Sequence, residues 1–90
     1  MNRRDFEEPK LLTLKKKYVG DDCHQLSERT VLVQGVMVKS DEYFLSKMAT
    51  YEGEFQIGSR PFKKYRRATK RERKEFIKSY YDHWGIKIGL

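Results

Sequence analysis

A single cysteine, Cys23, leaves no route to an internal disulfide. The stapled scaffolds of small secreted domains are thereby excluded, and the chain reads as one suited to a reducing, cytoplasmic compartment. Long hydrophobic runs are missing as well. The longest strongly apolar stretches are VLV and VMV, far short of the roughly 20 residues that cross a bilayer, so no membrane partner is expected. The opening MNRRDFEEPK is charged throughout and lacks the apolar segment of a signal peptide.

Catalytic and ligand-binding signatures are equally sparse. There is no P-loop and no G-x-G-x-x-G. DDCH, Asp21 to His24, sets four candidate ligands in a row, but adjacent residues rarely converge on one ion. The only other histidine is His83, so no metal or cofactor is expected. Cys23 with His24 or His83 would be a nucleophile pair in its simplest form, and Glu52 or Glu54 beside basic residues could serve a nuclease. Neither combination is specific, and the chain is not expected to be an enzyme.

What the sequence does contain is positive charge in one place. The net charge is +7. Residues 1–59 carry nine Lys and Arg against ten Asp and Glu, whereas residues 60–90 carry eleven against three. Mixed charge would serve solubility as well, so this asymmetry points to a polyanionic partner: nucleic acid (DNA or RNA) or an acidic protein surface. Aromatics are plentiful, with five Phe and six Tyr, and 90 residues suffice for one small domain.

Along the chain, residues 1–10 read as a flexible arm and 11–58 as a β meander. Leu11 to Tyr18 is expected to form a strand and VGDDCHQLSER a loop. TVLVQGVMVK is rich in β-branched residues, and Gly35 within it marks a bulge or a close approach. SDE makes a turn into YFLSKMAT, a further strand. Ser40 could alternatively cap a short helix bearing Phe44, Leu45 and Met48. YEGEFQIG alternates, placing Tyr51, Gly53, Phe55 and Ile57 on one face, and should complete a hairpin.

Pro61 and the mixed run after it suggest a basic connector over 59–68. A basic amphipathic helix then occupies 69–85. Thr69-Lys70-Arg71-Glu72 matches the capping box, and Gly85 stands where a left-handed residue ends a helix. IKI after it suggests a short edge strand. At about 100° per residue from Lys70, the apolar Phe76, Ile77, Tyr80 and Trp84 fall between roughly 240° and 340°. Lys70, Arg71, Lys74, Lys78 and Tyr81 share roughly 0–100°, and Glu72, Glu75, Ser79 and Asp82 share roughly 120–200°.

The basic stripe carries costs. Lys70–Lys74 and Lys74–Lys78 are like charges four apart, each destabilising by about 0.2–0.5 kcal/mol. Arg66, Arg67, Lys70 and Arg71 also crowd the helix N-terminus, an end that favours acids by roughly 0.3–1 kcal/mol per charge. A bound phosphate would turn that misfit into a fit. A solvated lysine-rich face with the pairs Arg71–Glu75 and Lys78–Asp82 is the plainer alternative. Tyr65 and Tyr81, lying among cations, could stack on bases or cover neighbouring aliphatic stems.

FLSKMATYEGEFQIGSRPF, Phe44 to Phe62, resembles the third-strand region of the integrase-type and plant ethylene-response DNA-binding domains. Phe44, Met48, Gly53 and Ile57-Gly58 carry the resemblance. It implies a layout of three antiparallel strands followed by a helix. Those domains read DNA with arginines on the sheet, where this chain has Glu52, Glu54 and Lys47.

The expected fold is α+β: a small antiparallel sheet of three to four strands with one C-terminal helix packed on one face. The expected function is mostly sequence-independent nucleic-acid binding, with Lys63, Lys64, Arg66, Arg67, Lys70, Arg71, Lys74 and Lys78 on phosphates. The alternative is a small phage or mobile-element-type adaptor or inhibitor that docks its basic helix on an acidic protein.

Overall fold

The computed structural model describes residues 9–20 and 28–89, without the side chains of 57–59. Most of the expected arm, and the whole of DDCH, lie outside the described residues. Among the described residues five strands and one helix follow in order: β1 (Lys10–Leu14), β2 (Thr30–Lys39), β3 (Glu42–Ala49), β4 (Phe55–Pro61), β5 (Tyr65–Arg67) and α1 (Lys70–Trp84). All pairings are antiparallel, in the order β4-β3-β2-β1-β5. The α+β class is as expected, but the sheet has five strands rather than three or four. The three-strand layout implied by the resemblance is exceeded in the same way.

The extra strand lies in the stretch read as a connector. β4 continues to Pro61, a 3₁₀ turn covers Phe62–Lys64, and β5 pairs with β1, Leu12 opposite Arg67 and Leu14 opposite Tyr65. The two edge strands are therefore consecutive in sequence. In a flat sheet they would stand about 19 Å apart, four strand spacings of about 4.8 Å. A 3₁₀ path of about 2 Å per residue covers only about 8 Å from Pro61 to Tyr65. The sheet must curl to bring its edges together, forming a partly closed barrel.

The concave side holds the main core: Leu12, Leu14, Val31, Val33, Leu45, Met48 and Tyr65, with Tyr18, Val36 and Phe62 packed against it. The curl buries this face without help from the helix. Leu45 and Met48, three residues apart, both point inward because the β2–β3 register shifts on either side of Gly35. That spacing is what made the stretch resemble a helix turn. A Cβ on Gly35 would lie 2.6 Å from Ser46 Oγ, so the glycine marks both a bulge and a close approach.

Ser40 is not a helix cap. Ser40 and Asp41 have φ of 51° and 62°, and Lys39 pairs with Glu42, which makes a two-residue hairpin of the type that follows sheet twist. The β3–β4 turn is longer. Thr50 N–H donates to Glu54 O at 2.9 Å, Gly53 N–H to Thr50 O at 3.1 Å, and Glu54 N–H to Thr50 Oγ1 at 3.0 Å. Tyr51 and Gly53 thus belong to this turn and do not alternate with Phe55 along a strand, because Thr50 holds the local hydrogen bonds.

On the opposite face of the sheet, Leu11, Leu32 and Phe76 form a smaller core joined by Tyr51, Ala68, Ile77, Tyr80 and Ile88. Here α1 docks with its expected apolar stripe. Its ends are also as expected: Thr69 and Glu72 form the capping box, and Gly85 (φ 70°) donates to Tyr81 O. β1 ends at Leu14 and a 3₁₀ turn follows at Lys16–Tyr18, shorter than the strand expected to Tyr18. Residues 86–88 form no strand; Ile88 instead packs under the helix.

Candidate nucleic-acid interface

The start of α1 organises the basic region. Glu72, at the third helical position, accepts the Thr69 N–H at 2.8 Å and both arms of Arg66, at 2.7 and 3.0 Å. The Arg66 fork, together with the Thr69 donors, holds the Glu72 carboxyl well down, from 4.5 to about 2, against the opposing effect of partial burial. Glu72 in turn raises the Arg66 guanidinium. The misfit read from the sequence is therefore partly resolved inside the protein: the carboxylate that caps the helix also neutralises one of its four crowding cations.

Sheet geometry separates the next pair. Arg66 lies opposite Thr13 and Arg67 opposite Leu12, so the two arginines leave β5 on opposite faces. Arg66 turns to the helix side and Arg67 to the other. Read as a connector, the segment gave no reason to part them.

Lys70, Arg71, Lys74 and Lys78 are exposed along α1. Arg71 reaches Glu75 at 3.2 Å with both side chains largely in solvent, an arrangement worth little on its own. From Lys70 to Lys78 the stripe is about 12 Å long, and Tyr81 (53% exposed) continues it. Tyr65 is different. It is buried in the main core, and burial pushes its hydroxyl pKa up, so it is no stacking platform. His83 is exposed and meets Trp84 edge-on.

Lys63 and Lys64 lie on the 3₁₀ turn at the far end of β5. There the structure adds residues that charge counting did not single out. Lys15 N–H donates to Lys64 O at 2.9 Å, and Lys17 and Lys64 both stand over the Tyr18 ring, at 5.1 and 5.6 Å from its centre. The run Lys15–Lys17 thus joins Lys63 and Lys64. Its signal, three lysines in succession, was masked by the negative balance of the first 59 residues. Arg73 was also missed. At roughly 300° it falls within the apolar stripe, and it borders a groove with Lys10 and Arg67.

The acidic side of α1 faces elsewhere. Glu72, Glu75 and Ser79 line a 370 Å³ cavity with Glu28, Arg29, Thr30, Tyr51 and Phe76. Burial, reinforced by Glu52, pushes the Glu28 carboxyl pKa up despite hydrogen bonds from Thr50 and Tyr51. Its Oε2 is enclosed without a hydrogen-bond partner. Among the described residues no group of three or more His, Cys, Asp or Glu is arranged to hold a metal ion. No helix among them is long and apolar enough to cross a membrane.

No protein-family model, curated protein or solved structure matches the chain.

Proposed function

We propose that this is a small nucleic-acid-binding protein of the cytoplasm that grips phosphates, without cofactor or catalysis, and largely without regard to sequence. The observation that carries this reading is the sorting of charge across α1. Lys70, Lys74 and Lys78 are exposed on one side, while Glu72 is committed to Arg66 and the cap, and Glu75 borders the cavity on the other. Arg67 at one end of β5 and Lys63 and Lys64 at the other extend the contact surface, joined at the far end by Lys16 and Lys17. Arg66 acts as a support for Glu72 in this reading and not as a phosphate ligand.

Five or six phosphate contacts on a duplex give a log–log salt slope near −5. Titrations of labelled duplex and of labelled single strand across salt concentrations measure it, and a flat response from both rejects the proposal. Pull-down with and without nuclease separates the reading from an adaptor of the phage or mobile-element type. Retention of one acidic protein after digestion would favour the adaptor.

A further inference from the structure

We infer that the groove between the start of β1 and the second turn of α1 seats a nucleotide of a single strand, so that the preferred ligand is single-stranded nucleic acid. This deepens the phosphate-binding reading and rests on it. The groove measures about 460 Å³ and is bordered by Lys10, Leu11, Arg67, Ala68, Arg73 and Gly89. Sites for small ligands span about 300–1,000 Å³.

Three cations arrive from three elements. Lys10 is the first residue of β1, Arg67 the last of β5, and Arg73 lies in the second turn of α1. Arg67 stands opposite Leu12, so Lys10, two residues before Leu12, shares its face and is its diagonal neighbour, about 7–8 Å away. Arg73 comes from the helix, over the other face. The cations therefore surround the end of β1 from both sides of the sheet, with Leu11 and Ala68 supplying apolar wall between them. Among the described residues, no carboxylate lines the groove.

This geometry separates the two forms of nucleic acid. Duplex DNA is stiff, with a persistence length of about 50 nm. It can lie along the lysine stripe of α1 but cannot fold round the end of a strand. A single strand bends freely between nucleotides and offers an apolar base face beside each phosphate. Arg73 flanks Lys70 and Lys74 on the helix, so a strand leaving the stripe enters the groove directly. Recognition is then by charge and an aliphatic wall, which accepts any base.

The test compares a thymidine oligonucleotide of about 15 nucleotides with a blunt duplex of equal length, by fluorescence anisotropy at two salt concentrations. Arg73→Gln removes one cation. Gly89→Val adds bulk at the groove's edge without changing charge or offering a ring for a base to stack on; nothing lies within 4 Å of where a Cβ there would stand, so the fold should tolerate it. Each should weaken the single strand about fivefold or more and the duplex less than about twofold, and Arg73→Gln should make the single-strand salt slope about 0.7 shallower. Equal effects on both forms, no effect on the single strand, or wild-type binding of duplex alone would overturn the inference and leave the phosphate-binding reading standing. Wild-type protein that binds neither form overturns both.

Discussion

The indole N–H of Trp84 donates to the carbonyl oxygen of Tyr51 at 2.6 Å, and its ring lies against Gly53. This pins the last turn of α1 to the β3–β4 turn, beside the edge-on contact of Tyr51 with Phe76. Gly53 has φ of 93°, and a Cβ there would come 2.8 Å from Cζ2 of Trp84.

Gly53→Ala should therefore carry two costs: roughly 1–2 kcal/mol for the left-handed backbone and at least about 1 kcal/mol for displacing the indole. In a Trp84→Ala background only the first remains. Urea unfolding of the two single variants and the double variant reads the difference. Simple additivity would show that the indole does not rest on Gly53. Trp84→Phe, which keeps a ring but loses the donor, should cost about 1 kcal/mol.

Glu72 sets an acid-side dependence. Its folded pKa of about 2 lies below the ordinary 4.5. Its stabilisation is therefore complete above the ordinary value and fades as pH falls toward 2. Glu72→Gln should lower stability by about 1 kcal/mol at neutral pH, after allowance for solvent screening. The gap from wild type should narrow in acid; a gap constant with pH would contradict the Arg66–Glu72 fork.

Glu28 works in the opposite sense. Its pKa is raised by burial and by Glu52, so the folded state prefers the protonated form and stability declines as pH rises through that pKa. Glu28→Gln should raise the thermal midpoint at neutral pH, with the advantage shrinking as the wild-type carboxyl protonates. Calorimetry at neutral pH and near pH 4.5 checks this, and a destabilised variant at neutral pH would refute it.

Arg66 and Lys74 should separate stability from binding. Arg66→Gln breaks the fork on Glu72 and should cost about 1 kcal/mol, while the salt slope on nucleic acid changes little. Lys74→Gln should make that slope shallower by about 1 and leave stability within about 0.5 kcal/mol, helped by relief of repulsion from Lys70 and Lys78. The reverse pattern would place Arg66 on the ligand and Lys74 in the scaffold.

Local rules made much of the fold legible. Thr69, Glu72 and Gly85 mark the helix ends because capping is a short-range exchange of hydrogen bonds, and Gly35 marks the bulge because a side chain there collides with Ser46. β5 was illegible for the complementary reason. Its three residues, Tyr65–Arg67, carry too short an alternation to announce a strand, and they owe their extended form to β1, more than fifty positions earlier. The candidate site suffered likewise. The helix lysines follow from angle alone, whereas the company of Lys17 with Lys64, or of Lys10 with Arg73, exists only once the sheet has curled. The Arg66–Glu72 fork was hidden because its members stand six positions apart and Glu72 was assigned to the cap alone.

The link between the barrel's two edges also fixes an order of events during synthesis. β1 leaves the ribosome early but gains its second neighbour only when β5 emerges, with Leu12 and Arg67 separated by 55 positions. Until then its outer edge is bare, and Tyr65, which belongs inside, has yet to be made. A nascent chain halted before residue 65 therefore offers an unfilled core and one bare strand edge to chaperones and to its neighbours on the same message.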